Sequence, residues 1–226
     1  MTETYTFTPN LRVIDRFPGC VSIADLEAER PIYSATPAFI REHGGTITNG
    51  ILDRVPSSFF VKAQQSSLYT IIEARIHRLY PGEFPAVPGW HCDGDYREDY
   101  YAQPDRFRTS THQHITTTVS THSGGVCNTQ FLAEPITATV DSPTPEHTFW
   151  GQIHTQVEAV RPRQTYDTRD GEMACFDSWT LHRAMPARIR GWRLFFRISM
   201  YHKPGLGEGM ISKQEQVYRL AEGNGW

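Results

Sequence analysis

No stretch of the sequence holds 18 consecutive apolar residues, which excludes a membrane-spanning helix. Paired cysteines are missing too. Cys20, Cys92, Cys127 and Cys175 stand far apart with no C-x-x-C among them, so neither a zinc ribbon nor a disulfide framework is expected, and a reduced, intracellular chain is. Charge of one sign is scarce: 22 Lys and Arg against 25 Asp and Glu leave a net −3, and no overall basic excess recommends a nucleic-acid partner. The opening "MTETYTFTPN" lacks the charged-then-apolar pattern of a secretory signal, so a cytoplasmic location is the expectation. Internal repeats, low-complexity tracts and Gly/Ser or Pro linkers are absent over 226 residues, which points to one domain spanning 1–226.

What is present is a globular composition, 38% hydrophobic and 12% aromatic. Residues 1–70 mix short apolar runs with turn signals such as "RFPGC" and "REHGGTITNG", and read as mixed helix and strand supporting the rest. Within them "TPAFIREH" and "SSFFVKAQQ" each predict a short helix. "LYTIIEARIHRLYPG" predicts a strand over 69–80, rich in Ile and Tyr and stopped by Pro81-Gly82. The segment 94–110, "GDYREDYYAQPDRFRTS", is polar, Tyr-rich and aperiodic, as functional or mobile loops are. Beyond it, "THQHITTTVSTH" predicts a β-branched strand and "CNTQFLAEPITATV" another, breaking at Pro135. "TPEHTFWGQIHTQVEAV" predicts a helix with Thr144 as N-cap and Pro145 at its first position, although its end, "TQVEAV", reads equally as strand. "EMACFDSW" and "GWRLFFRISMY" are two more strands on either side of "TLHRAMPARIR", and "SKQEQVYRLAEG", in a tail over 203–226, predicts a short helix ending at glycine. Short strands joined by turns dominate 70–202. The expected class is therefore mainly β with flanking helices, as an antiparallel sandwich or jelly roll.

One tripeptide in the polar stretch "PGWHCDGDYRE" stands out. His91-Cys92-Asp93 sets an imidazole and a carboxylate at i and i+2, which point to the same side of an extended chain. In a chain with ten histidines such a tripeptide alone carries little weight. His182, in "FDSWTLHRAMP" between two late strands, supplies the third member of a set. Two histidines and one carboxylate on one face of an octahedral ion form the facial triad of non-haem Fe(II) oxygenases. They hold the ion without closing its shell, and three positions stay open for a bidentate co-substrate and O2. Cys92, between the first two ligands, points away and is not expected to bind metal. Eleven residues past His182 lies Arg193, in "GWRLFFRIS". Arg193, Phe195, Arg197 and Ser199 share one face of that strand, while Trp192, Leu194, Phe196 and Ile198 share the other. The apolar face predicts packing against the N-terminal helices and leaves both arginines looking inward.

The order H-x-D, then a distal histidine, then an arginine about ten residues on in a strand, resembles the Fe(II)/2-oxoglutarate-dependent dioxygenase superfamily. The string "GEMACFDSWTLHRAMPARIRGWRLFFRISM" is similar to the end of its phytanoyl-CoA-dioxygenase-like and taurine-dioxygenase-like branches. "RLYPGEF…WHCDGD" resembles their entry to the metal motif. The resemblance covers roughly 70–202, and residues 1–70 match nothing specific. It implies a double-stranded β-helix, a jelly roll of cupin type. It further implies Fe(II) on His91, Asp93 and His182, and 2-oxoglutarate chelating the iron with its distal carboxylate on Arg193. A guanidinium fork suits the far end of a dicarboxylate. The resemblance also makes His77, beside Arg75 on one strand face, and Thr118 or Thr129 possible partners of 2-oxoglutarate, against a reading as ordinary sheet pairing. In related halogenases a Gly or Ala stands where Asp93 stands here, so the carboxylate argues for hydroxylation or an outcome branching from it, such as desaturation, cyclisation or demethylation.

The remaining polar and aromatic residues leave choices open. Trp90, Tyr96, Tyr100, Tyr101 and Phe107 surround the metal motif as substrate-pocket or lid residues, or as loop packing. Arg197 is a candidate for the co-substrate or for an anionic group of the substrate. His112, His114 and His122 line a cavity, face solvent or form a second metal site. Three functions follow: a hydroxylase of a small polar molecule that releases succinate and CO2; an oxygenase acting on a nucleobase or nucleic acid, for which "RPRQTYDTR" and "HRAMPARIRGWR" are the basic stretches; and a non-catalytic cupin-like module that binds a metal and a small acid. The first is expected, with a small-molecule partner, no membrane and no nucleic acid.

Overall fold

In the computed structural model the described residues are 2–93, 112–141, 144–160, 163–202 and 209–211. Two strands, β1 (Thr2–Phe7) and β2 (Leu11–Arg16), come first. After α1 (Ile23–Glu27) and β3 (Ile32–Ala35) three short helices follow, α2 (Pro37–His43), α3 (Thr46–Leu52) and α4 (Ser57–Gln65). Then come β4 (Tyr69–Leu79), β5 (Gln113–Ser120), β6 (Thr129–Leu132) and β7 (Ile136–Asp141), followed by α5 (Glu146–Ala159). The last described elements are β8 (Thr165–Asp167), β9 (Glu172–Asp177), β10 (His182–Ala184), β11 (Gly191–Tyr201) and β12 (Met210–Ile211), and the helix expected in "SKQEQVYRLAEG" lies outside the described residues.

Local chemistry sets many of these boundaries. The Thr36 side chain accepts from the Phe39 N–H at 3.2 Å and Pro37 opens α2. Ser22 and Asp25 form a reciprocal capping box at α1. β6 and β7 part before Pro135, which has no N–H for a ladder. The start of α5 differs from expectation: Pro145 is its N-cap, with no side-chain cap, and Thr144 lies outside. The helix also runs to Ala159, so "TQVEAV" is helical up to its last residue, the extended C-cap Val160. Phe149, Trp150, Ile153 and Val157 put their apolar stripe on Tyr5, Phe7, Ile136, Ala138 and Val140, and burying that stripe decides the matter.

The structure is mostly β, with antiparallel pairing throughout its described sheets. A seven-stranded sheet runs β12-β3-β4-β11-β5-β9-β2, a three-stranded one β10-β6-β8, and β1 pairs with β7. The long central strand β11 pairs with β4 on one side and β5 on the other. Its Leu194, Phe196, Ile198 and Met200 are buried against Leu26, Ile40, Ile51 and Phe59 of the N-terminal helices. The opposite face of the same strand looks into the cavity described below. Phe196→Ala should therefore cost stability, by about 3–5 kcal/mol in urea unfolding. Among the described residues no helix is long and apolar enough to cross a membrane.

Candidate metal centre

His91 and His182 meet by backbone pairing. They face each other across an isolated antiparallel bridge and exchange both hydrogen bonds, His91 N to His182 O at 3.0 Å and His182 N to His91 O at 2.9 Å. Directly opposed residues carry their side chains on the same face, and the two ring centroids are 4.6 Å apart. Each Nδ1 faces a carbonyl two residues earlier in its own chain, Gly89 O at 2.8 Å and Thr180 O at 3.1 Å. A carbonyl can only accept, so each Nδ1 carries a proton, and in the neutral ring the lone pair is on Nε2. Backbone carbonyls orient metal-binding imidazoles in this way.

Asp93 completes the cluster: one donor atom from each of His91, Asp93 and His182 lies within 4.8 Å of the others. Asp93 Oδ2 is 3.2 Å from His182 Nε2. Two lone-pair atoms that close call for a proton or a metal cation between them, so the donor set fits a divalent metal. Nitrogen and carboxylate oxygen in a two-to-one set suit iron(II). Burial alone would raise the Asp93 carboxyl, but Arg197, with His182 and His91, outweighs it and holds the group well below the usual carboxylate range. Burial, reinforced by His182, pushes His91 down to about 4 against the pull of Asp93, so its ring is neutral and ready to bind at neutral pH. Cys92 is buried with Trp90 and Leu181, and its thiol is pushed well up by burial, then by Asp93 and Asp177.

A cavity of about 200 Å³ opens on these ligands. Its floor is the inward face of the large sheet. There Glu73, Arg75 and His77 of β4 stand in register with Arg197, Phe195 and Arg193 of β11. Thr116 of β5, Phe176 of β9, Thr129 of β6 and His182, Arg183 and Ala184 of β10 line it as well. Pro85, Ala86 and Val87 add a small apolar rim.

Arg193 is 3% exposed and lines this cavity. Its Nη1 donates to Cys127 Sγ at 3.0 Å, and its Nε has no partner. No carboxylate pairs with it among the described residues. A buried guanidinium without a counter-charge is costly, and an anionic ligand removes the cost. Beside it His77 is pushed down to about 2, by burial first and then by Arg193 and Arg75, so it faces the cavity as a neutral ring.

The structure thus brings His91, Asp93, His182, Arg193, Thr129, His77 and Arg197 to one cavity. Thr118, opposite Phe195 in the ladder, does not line it, whereas Thr116 does. Trp90 is 1% exposed and outside the cavity lining. Its Nε1 donates to Glu158 at 2.9 Å and its ring lies under Arg183, so it anchors the metal loop from behind. Arg197 bonds two protein carboxylates, Asp93 and Glu73. Tyr96, Tyr100, Tyr101 and Phe107 lie outside the described residues. His114 contacts Ser199 at 2.9 Å and Ser178 at 3.4 Å and stacks on Phe176, and the one potential metal cluster among the described residues is His91, Asp93 and His182. Sequence reasoning missed Glu73, Thr116 and Arg183. The two-residue alternation through Arg75 and His77 marks Glu73, and adjacency to His182 marks Arg183.

Burial pushes His114 down to about 3 against the pull of Asp93, with Arg197 and His182 helping, so His114 and His77 both stay neutral in the folded chain where the unfolded chain protonates them. A folded pKa below the unfolded one means stability is full above about pH 6.5 and falls as pH drops, by about 1.4 kcal/mol per pH unit for each histidine. His91, pushed down to about 4, adds a third such group, so metal-free protein should lose roughly 4 kcal/mol of unfolding free energy between pH 7.5 and 5.5. Urea titrations at the two pH values measure it, and His77→Gln should remove about a third of the slope.

No family profile matches the sequence, and no curated protein aligns with it significantly. Among solved structures, an N-substituted L-amino acid dioxygenase from Burkholderia ambifaria is similar at 14% identity and a TM-score of 0.37, covering 90% of this chain and 98% of its own. The same enzyme in complex with alpha-KG aligns at 12% identity, a TM-score of 0.34 and coverage of 87% and 95%. The non-heme monooxygenase ThoJ, as a nickel complex, aligns at 13% identity and a TM-score of 0.34, over 78% of this chain and 75% of its own. At such distance the function has to be read from the site.

Proposed function

We propose that the chain is an Fe(II)- and 2-oxoglutarate-dependent dioxygenase that hydroxylates a C–H bond of a small polar molecule. Substrate, O2 and 2-oxoglutarate give hydroxylated product, succinate and CO2. The observation that carries this reading is a single cavity with three metal donors at one place on its wall and a buried, uncompensated arginine at another. His91, Asp93 and His182 would hold the iron, which supplies the redox chemistry that splits O2 between the two organic partners. Arg193 receives the distal carboxylate of 2-oxoglutarate, with Thr129 and neutral His77 as neighbouring polar groups. Both Nδ1–H groups stay on backbone carbonyls, so the ligand tautomers do not change. The two sheets that contribute to the cavity are read as the halves of a double-stranded β-helix, with residues 1–70 as support and 1–226 as one domain.

Turnover tests the proposal. Iron-reconstituted protein, given 2-oxoglutarate, air and a panel of small polar compounds, should release succinate above a chelator control. Protein that binds both metal and 2-oxoglutarate yet leaves the 2-oxo acid intact with every compound would instead be the cupin-like binding module.

A further inference from the structure

The oxygen of Asp93 that faces His182 is also the one that Arg197 holds. Arg197 reaches Glu73 with its other amino group at 3.0 Å, and Glu73 is its cross-strand partner on β4. Glu73 is shared with Arg75, also at 3.0 Å, and Arg75 in turn bonds Tyr33 and lies over its ring. The Arg197 and Glu73 side chains are only 16% and 14% exposed, so water screens this chain of charges poorly. Glu73 serves two guanidiniums at once. Arg197 therefore takes much of its counter-charge from Asp93.

A divalent cation seated between His91, His182 and Asp93 takes that same carboxylate. Arg197 is then left beside a dication with only a shared Glu73 to balance it. Like charges at that separation in a poorly solvated cavity repel strongly. An anion that joins the cation relieves the repulsion, and a dicarboxylate brings two negative charges into the cavity.

We propose that Arg197 is a positioning residue that couples the metal to its dicarboxylate. It aims the Asp93 carboxylate at the histidines and keeps the site cationic, so a divalent ion is held weakly alone and tightly together with 2-oxoglutarate. Glu73 sets the strength of this coupling by neutralising part of the Arg197 charge. The inference rests on the iron and 2-oxoglutarate reading above.

The experiment is calorimetric titration of the purified full chain with Mn²⁺, with and without saturating 2-oxoglutarate, without turnover. In the unaltered protein, 2-oxoglutarate should tighten Mn²⁺ binding by about 5- to 150-fold. Arg197→Gln should bind Mn²⁺ alone more tightly, and its coupling should fall below about threefold. Arg197→Lys keeps the charge and should keep the coupling. Glu73→Gln should shift the opposite way, with weaker Mn²⁺ binding alone and a larger coupling factor. A residue that merely props the site would weaken Mn²⁺ alike in Arg197→Gln and Glu73→Gln and leave the coupling factor as it was, and that result overturns the proposal. Should Arg197→Gln not fold, Arg197→Lys with its coupling kept and Glu73→Gln with its coupling raised still decide it, and an unchanged coupling factor in Glu73→Gln overturns the proposal. Failure of the folded, unaltered protein to bind Mn²⁺ would strike the metal-site reading itself, whereas binding with unchanged coupling strikes Arg197 alone.

Discussion

His182→Ala is expected to lose divalent-metal affinity by at least about a thousandfold and to release no succinate, since even the outer partners of metal ligands are worth roughly 10–100-fold. The geometry makes this a clean substitution. The bridge to His91 is made by backbone atoms, so alanine keeps both hydrogen bonds and the position of His91. What disappears is the Nε2 that lies 3.2 Å from Asp93. Calorimetry with Mn²⁺ measures the loss, and unfolding in urea checks that the fold survives. His122→Ala is the control: the side chain is exposed and lies outside the cavity lining, so metal affinity should not change.

Arg193→Met should raise the dissociation constant of 2-oxoglutarate from metal-loaded protein by about 30- to 5,000-fold, the 2–5 kcal/mol that truncating one side of a buried charge pair costs. Metal binding without 2-oxoglutarate should persist. The same substitution should make the ligand-free protein more stable, by roughly 1–3 kcal/mol, because it removes a buried charge that has no carboxylate partner among the described residues. Opposite signs in binding and in stability are the mark of a residue kept for function. Arg193→Lys should recover part of the affinity, since a lysine restores the charge without the fork that grips a carboxylate with two parallel bonds.

The parts of this arrangement that were legible in the sequence are those written in local pattern. Alternation along "RLFFRIS" separates Arg193 and Arg197 from Leu194, Phe196 and Ile198, and the structure puts the two sets on the cavity and the core. Pro81 ends β4 and Thr36 caps α2 as their chemistry requires. The first 70 residues were less legible because their strands find partners far along the chain, β1 on β7 and β2 on β9. No local signal carries that pairing, although "TETYTF" does alternate. The same limit applies to the site. Residue types and order pointed to His91, Asp93 and His182, but the bridge that sets the two imidazoles side by side is a non-local contact. Choosing between Thr118 and Thr129 required knowing how far along each strand the cavity reaches, since Thr116 of β5 lines it and Thr118 does not. Trp90 looked like a pocket aromatic because it adjoins His91, and extended-chain parity turns it with Cys92's neighbours into the apolar cluster instead.

The most direct test of the metal centre is an anaerobic titration of metal-free protein with Fe(II) and then 2-oxoglutarate, followed in the visible range. A 2-oxo acid chelated to iron(II) should give a weak charge-transfer band that appears only when both are present. The band should be absent in His182→Ala and need far more 2-oxoglutarate in Arg193→Met. Folded, iron-loaded protein that shows no band at saturating 2-oxoglutarate would contradict the account.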